Sequence, residues 1–289
     1  MLISAEPGIG KSRLAEAFRL NLEGEPHTRL RYFCSPHHQD SALFPFIAQL
    51  ERAVGFERDD APSVRLERLE VLVATNAPAE GDVRLLAELL SVPVDDRYPA
   101  LELASQRKKE KTFEALLRQL GGLATRQPVL MIFEDLHWAD PSSRELLDLT
   151  VDQIAGMPVL LVATFRPEFQ PLWIGQPHVT AMSLRRLARY ESEELVGELV
   201  RNSTALSSEL VHEIVDRTDG VPLFLEELTK AVLESANAAN QITATHSTSL
   251  AVPATLHASL MARLDRVGSA AKEIAQMGAA IGRSSLTNC

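Results

Sequence analysis

One stretch near the amino terminus limits the possible folds more than any other: Leu2-Ile3-Ser4-Ala5-Glu6-Pro7-Gly8-Ile9-Gly10-Lys11-Ser12-Arg13-Leu14. A short apolar strand runs into a glycine-containing loop, and an amphipathic helix follows. The sequence Gly8-x-Gly10-Lys11-Ser12 has the chemistry of a phosphate-binding loop. Successive backbone N–H groups of such a loop, with the first turn of the next helix, converge on an anion. Lys11 reaches the β- and γ-phosphates and the Ser12 hydroxyl sits on Mg²⁺. Gly10 lets the backbone come close to the phosphates. Ala5 stands where the pattern G-x-x-x-x-G-K-[ST] has its first glycine, and its methyl group is either tolerated there or strains the turn.

A second stretch answers the first. Pro128-Val129-Leu130-Met131-Ile132-Phe133 is a continuous apolar run, as expected of a parallel strand buried on both faces. It ends in Glu134-Asp135, and acids at the carboxyl end of such a strand lie where α/β sheets bind ligands. Glu134 occupies the position that holds Mg²⁺ through water, and Asp135 the position of the base that orients or deprotonates an attacking water; the two roles can be exchanged. The run Val159 to Phe165 reads as another buried strand, with Thr164 and Arg166 at its end. Arg166 either senses the terminal phosphate and stabilises transferring charge or pairs with the nearby Glu168.

Composition narrows the function classes. The 289 residues are 45% hydrophobic and 24% charged, which suits a soluble protein with a substantial core. A net charge of −10 argues against a broad nucleic-acid footprint. The basic cluster Arg107-Lys108-Lys109 with Lys111 reads as a solvated helix face. Cys34 and Cys289 are far apart and have no metal-ligand spacing, so two free thiols in a reducing cytoplasm are expected. His37-His38 has no carboxylate or cysteine cluster beside it and reads as a loop. No run approaches membrane-spanning length, and Met1-Leu2-Ile3 lacks the basic flank of a signal peptide. It looks like the stub of a first strand, so upstream sequence is expected to have been lost.

Between the two stretches the periodicity predicts a helix over 11–22 with Leu14, Ala15, Phe18 and Leu22 buried, a strand over 28–34, and an inserted helical block over 43–54, 60–75 and 82–90. A longer helix over 105–120 ends at Gly121-Gly122. Asp140 caps a helix with Pro141 at its first position. An edge strand is expected over 179–184. From Tyr190 the chain reads as helical, over 191–200, 207–218, 222–235, 253–265 and 270–281. Asp219-Gly220-Val221-Pro222 separates two of these helices, and 236–249 reads as a flexible linker.

These pieces together resemble a bacterial P-loop ATPase of the STAND branch, close to the AAA+ proteins. The likeness is to the origin-recognition-like AAA modules found with class III adenylate/guanylate cyclases and LuxR-type regulators. It rests on Glu6 to Leu14, Glu134-Asp135-Leu136-His137-Trp138-Ala139-Asp140, Ala163-Thr164-Phe165-Arg166, Gly220-Val221-Pro222-Leu223-Phe224, Val252 to Leu256 and Ala262 to Asp265. The resemblance implies an α/β P-loop NTPase fold, with a parallel sheet flanked by helices over 1–186. It implies a helical lid domain over 187–250 and the start of a winged helix over 251–289. It further implies that Glu6, Pro7, Gly8, Ile9, Gly10, Lys11, Ser12 and Arg13 bind the nucleotide, that Pro222 packs near the adenine, and that Arg166 senses the terminal phosphate.

The expected function is an ATP-binding switch in signal transduction with slow Mg²⁺-dependent hydrolysis. Asp135, Glu134 and Arg166 would be its catalytic groups, and Ser12 and Glu134 its metal positions. A protein effector or a fused cyclase or regulator domain is the expected partner, with nucleotide-dependent homo-oligomerisation and no membrane. The alternative is a non-hydrolysing interaction scaffold with a degenerate site. A DNA-binding initiator would need a basic face, which the sequence does not show.

Overall fold

The computed structural model describes residues 1–76, 78–94, 97–99, 101–201 and 206–241, together with Ile274 and Met277. The apolar run before Glu134 becomes β3 (Val129–Glu134), and all six of its residues are buried. Four strands join it: β1 (Leu2–Ser4), β2 (Thr28–Phe33), β4 (Val159–Phe165) and β5 (Ala181–Ser183). The sheet order is β2-β3-β4-β1-β5, and every pairing is parallel. A wholly parallel sheet needs both faces covered, which explains why β3 carries no alternation. The short β5 lies at an edge and is exposed throughout, as an edge strand can be.

The chain divides into two units, the first comprising Met1–Ala5 and Lys11–Ser183. Its helices are α1 (Lys11–Asn21), α2 (Phe44–Val54), α3 (Pro62–Ala74), α4 (Asp82–Leu89), α5 (Ser105–Ala124) and α6 (Pro141–Ile154). The core is centred on aromatic packing at β2 and β3. The Tyr32 and Phe133 rings stack with centroids 4.1 Å apart, and Phe46 of α2 tilts against both. A second core joins α2, α3, α4 and α5 around Leu66, Leu69, Val73 and Leu86, and this is the inserted helical block. The Asp140 carboxylate caps α6 by accepting from the Ser143 amide at 2.9 Å, and it also accepts from the Leu43 amide at 3.0 Å.

Three local expectations change. Leu14 is exposed, because α1 buries a narrower stripe, with Ala15 at its centre. Helix α5 does not stop at Gly121-Gly122 but continues to Ala124. A Cβ at Gly122 would lie 2.5 Å from the Asn76 carbonyl oxygen, so this glycine permits a close backbone approach rather than ending the helix. The basic cluster on α5 is neutralised: Arg107, Lys108, Lys109 and Lys111 pair with Glu110, Glu88, Glu145 and Glu114.

The second unit comprises Glu6–Gly10 and Leu184–Cys289. Helices α7 (Arg189–Val200), α8 (Ser208–Thr218) and α9 (Pro222–Gln241) surround Val196, Ile214, Leu225, Leu228 and Val232. Asp219 and Gly220 adopt left-handed conformations, with φ of 49° and 67°, and turn the chain from α8 into α9. The expected linker begins inside α9, which runs on to Gln241. Residues 236–241 contain neither glycine nor proline, and alanine is the strongest helix former. The expected helices over 253–265 and 270–281 lie outside the described residues, apart from Ile274 and Met277, which are helical. No described helix is long and apolar enough to cross a membrane.

Candidate functional site

The sheet register brings three strand ends level. Leu2 of β1 lies beside Ala163 of β4, and Ala163 lies beside Phe133 of β3. The strand that feeds the glycine loop and the strand that ends in the paired acids are therefore separated by β4 alone. Two strand spacings put them about 10 Å apart at their carboxyl ends. Thr164 and Arg166 leave the sheet between them.

Each end is shaped locally. Asp135 has φ 56° and ψ 45°, a left-handed conformation that aspartate adopts more readily than most residues. Its amide donates to the fully buried Thr164 hydroxyl at 3.1 Å, which fixes the turn that takes the carboxylate out of the strand. Glu134 stays in the strand and is 5% exposed. Arg31 of β2 donates to its Oε1 from Nε at 2.8 Å and from Nη2 at 2.6 Å. Both bonds fall on one oxygen, which leaves Oε2 for another partner. The two adjacent acids therefore have different surroundings: Glu134 is buried and paired, and Asp135 is half-buried at the sheet edge.

Lys11 opens α1 and is almost fully buried. Its Nζ donates to the Ala5 carbonyl at 2.9 Å, across the strand-to-helix connection. Burial pulls the ammonium below the ordinary lysine range, the Asp135 charge opposes that shift, and Arg166 adds to it. Lys11 thus lies within electrostatic reach of Asp135 and Arg166. Ser12 and Arg13 follow in the first turn of α1 and are exposed. Arg166 forms no ion pair with Glu168 among the described residues; its guanidinium lies 5.4 Å from the Trp138 ring centroid.

Within the second unit, Gly8 has φ 81° and Gly10 φ 104°. Nothing lies within 4 Å of a Cβ built at Gly10, so the need for glycine there is set by backbone conformation rather than by space. In the first unit, Ala5 is buried and is not among the residues with positive φ. The Gly8 carbonyl accepts from the Leu223 amide at 3.1 Å, just after Pro222 opens α9. Arg186 donates to Glu6 at 2.8 Å and pairs with Asp219.

One residue was quoted in the sequence motif without a role. His137 sits in the turn after Asp135, and both its ring nitrogens are buried without a hydrogen-bond partner among the described residues. An unmet buried polar group costs about 1–3 kcal/mol, so the arrangement needs a reason. Burial lowers the imidazole below the ordinary histidine range; Asp135 and Glu168 oppose the shift, while Arg166 and Lys11 add to it. Its place beside the acids was the only signal in the sequence. His37 and His38 belong to no metal-binding group among the described residues. Cys34 is a buried thiol that burial pushes up to about 12.

Comparison with known proteins agrees with this layout. The chain is 29% identical over 286 residues to an uncharacterised protein of Rhizobium meliloti (strain 1021), covering 98% of this chain and 27% of the relative. It therefore spans about a quarter of the length of the curated relative it matches. A family model described as AAA ATPase domain matches residues 1–162, from the glycine loop through both acids into β4. With that match over more than half its length, the chain belongs to the AAA ATPase domain family of P-loop proteins.

Proposed function

We propose that this chain is an ATP-binding regulatory ATPase that hydrolyses ATP slowly and uses nucleotide state to switch a partner in signal transduction. The observation that carries the reading is the shared neighbourhood of Lys11 and Asp135 at level strand ends, with Arg166 leaving the strand between them. Lys11 holds the β- and γ-phosphates, supported by loop amides from Glu6 to Gly10 and by Ser12 and Arg13 at the start of α1. Asp135 takes a proton from the attacking water, and Arg166 faces the charge that develops on the transferring phosphoryl group.

The residues suit Mg²⁺ bound with the triphosphate. Such an ion keeps several waters and needs only one or two protein oxygens. Glu134 has an oxygen not taken by Arg31, and Ser12 carries a hydroxyl in the first turn of α1. Bound there, Mg²⁺ supplies neutralisation of the phosphate charge. The ion pair with Arg31 holds the buried Glu134 side chain in place.

Within this reading, residues 1–186 form the nucleotide-binding domain, 187–250 the lid and 251–289 the start of a winged helix, in the cytoplasm. Pro222 lies by the adenine. The terminal phosphate selects one of two domain arrangements, which a protein effector or a further domain of a longer chain reads. The test is phosphate release under Mg-ATP by wild type and Asp135→Asn. Asp135→Asn is expected to bind ATP within about threefold of wild type and to lose at least about 100-fold in kcat. Equal release from both proteins overturns the hydrolytic assignment.

A further inference from the structure

We propose that Trp138 is a positioning residue for Arg166: its ring holds the guanidinium at the end of β4 without neutralising it, so that an unspent cation meets the terminal phosphate. This rests on the reading of Arg166 given above. A cation that is to face a phosphate must be kept in place before the nucleotide arrives. A carboxylate could hold it, but would take up the charge and the donors that the phosphate needs. An aromatic face attracts a cation electrostatically and leaves the N–H donors of the guanidinium available.

Arg166 is held in the second way. Its guanidinium carbon lies over the Trp138 ring, 5.4 Å from the centroid, inside the range of about 6 Å over which that attraction acts. Among the described residues it forms no ion pair and no side-chain hydrogen bond. An acid is nevertheless at hand. Glu168 is two residues further on, and its charge acts on both Lys11 and His137.

Trp138 is itself fixed with respect to both strand ends. Its amide donates to the Asp135 carbonyl at 2.9 Å. The Asp135 amide in turn donates at 3.1 Å to the hydroxyl of Thr164, two residues before Arg166. The Trp138 ring is partly buried against the core of the first unit and tilts at 43° against His137, with centroids 4.8 Å apart. The end of β3, the turn after it and the end of β4 therefore form a closed circuit of contacts, and the guanidinium over the indole completes it.

The experiment measures calorimetric dissociation constants for ADP and for the slowly hydrolysed analogue ATPγS, both with Mg²⁺. The proteins are wild type, Arg166→Ala, Trp138→Leu, Trp138→Phe, Glu168→Gln and the double variant Trp138→Leu/Glu168→Gln. The ratio of the two constants reads the contact to the terminal phosphate and cancels any loss common to both nucleotides. Arg166→Ala defines the full loss of preference for ATPγS. Trp138→Leu is expected to lose about 3- to 30-fold of that preference, the range a cation–π contact is worth. Trp138→Phe keeps a ring and should stay within about twofold of wild type. Glu168→Gln should change little by itself but raise the ratio at least about twofold in the Trp138→Leu background, where Arg166 is free to pair with Glu168. A Trp138→Leu ratio within about twofold of wild type, with the preference lost in Arg166→Ala, overturns the assignment and leaves the ATPase reading intact. So does a Trp138→Phe variant as impaired as Trp138→Leu, or an effect of Glu168→Gln that is the same with and without Trp138. An Arg166→Ala ratio equal to wild type overturns the reading of Arg166 and this assignment together.

Discussion

Replacing Arg31 by leucine tests whether the buried acid at the site depends on its neighbour on β2. Glu134 has a side chain 7% exposed, and Arg31 donates two bonds to one of its oxygens, at 2.8 and 2.6 Å. Removing the cation from a fully buried pair costs about 3–5 kcal/mol, because the remaining charge is left uncompensated. Arg31 is itself 42% exposed, so water can reach the vacated position and part of that cost is recovered. About 2–3 kcal/mol remains. The reverse change, Glu134→Gln, leaves a half-exposed arginine that water can solvate, and should cost no more than about 1 kcal/mol. The double variant should return close to the Glu134→Gln value, for a coupling of about 2 kcal/mol. Both tryptophans, Trp138 and Trp173, lie in the first unit, so their fluorescence in a urea titration reports on that unit. Thermal midpoints should fall by about 4–12 °C in Arg31→Leu, on the scale of a domain this size. A single Arg31→Leu variant within about 0.5 kcal/mol of wild type would refute the argument that Glu134 depends on this partner.

Two further changes follow from the same geometry. Gly122→Ala should destabilise the first unit by at least about 2 kcal/mol by urea titration despite alanine's helix propensity, because the new methyl carbon would meet the Asn76 backbone 2.5 Å away. His137 has a folded-state pKa below its unfolded value because of burial. As the pH falls from about 7 to about 5 the unfolded chain binds a proton first, so stability is lost through that window. His137→Gln should lose less stability than wild type over the same range; an identical pH dependence of the urea midpoint in the two proteins would contradict this.

Much of the site was legible because its signals are local. The unbroken apolar run of β3, the acids at its end and the Gly-Lys-Ser step each declare themselves within a few residues. Strand order is not local: nothing in Leu2 to Ser4 says that β4, rather than β3, is its neighbour. The reading of Gly121-Gly122 as a helix stop failed because a glycine can also serve a close approach, and only the position of Asn76 separates the two. Leu14 failed because helical spacing gives the apolar stripe but not how much of it a short sheet covers. The same limit hid His137. Its type and position were visible, but two unmet nitrogens in the field of Lys11 and Asp135 are properties of the fold.

The central claim is that Lys11 and the acids after Phe133 serve one triphosphate. Calorimetric titration with Mg-ATP measures it most directly, comparing wild type with Lys11→Ala. The account predicts saturable binding to wild type and none measurable to Lys11→Ala, with the thermal midpoint of the variant close to that of wild type. Equal ATP affinity in the two proteins would contradict it.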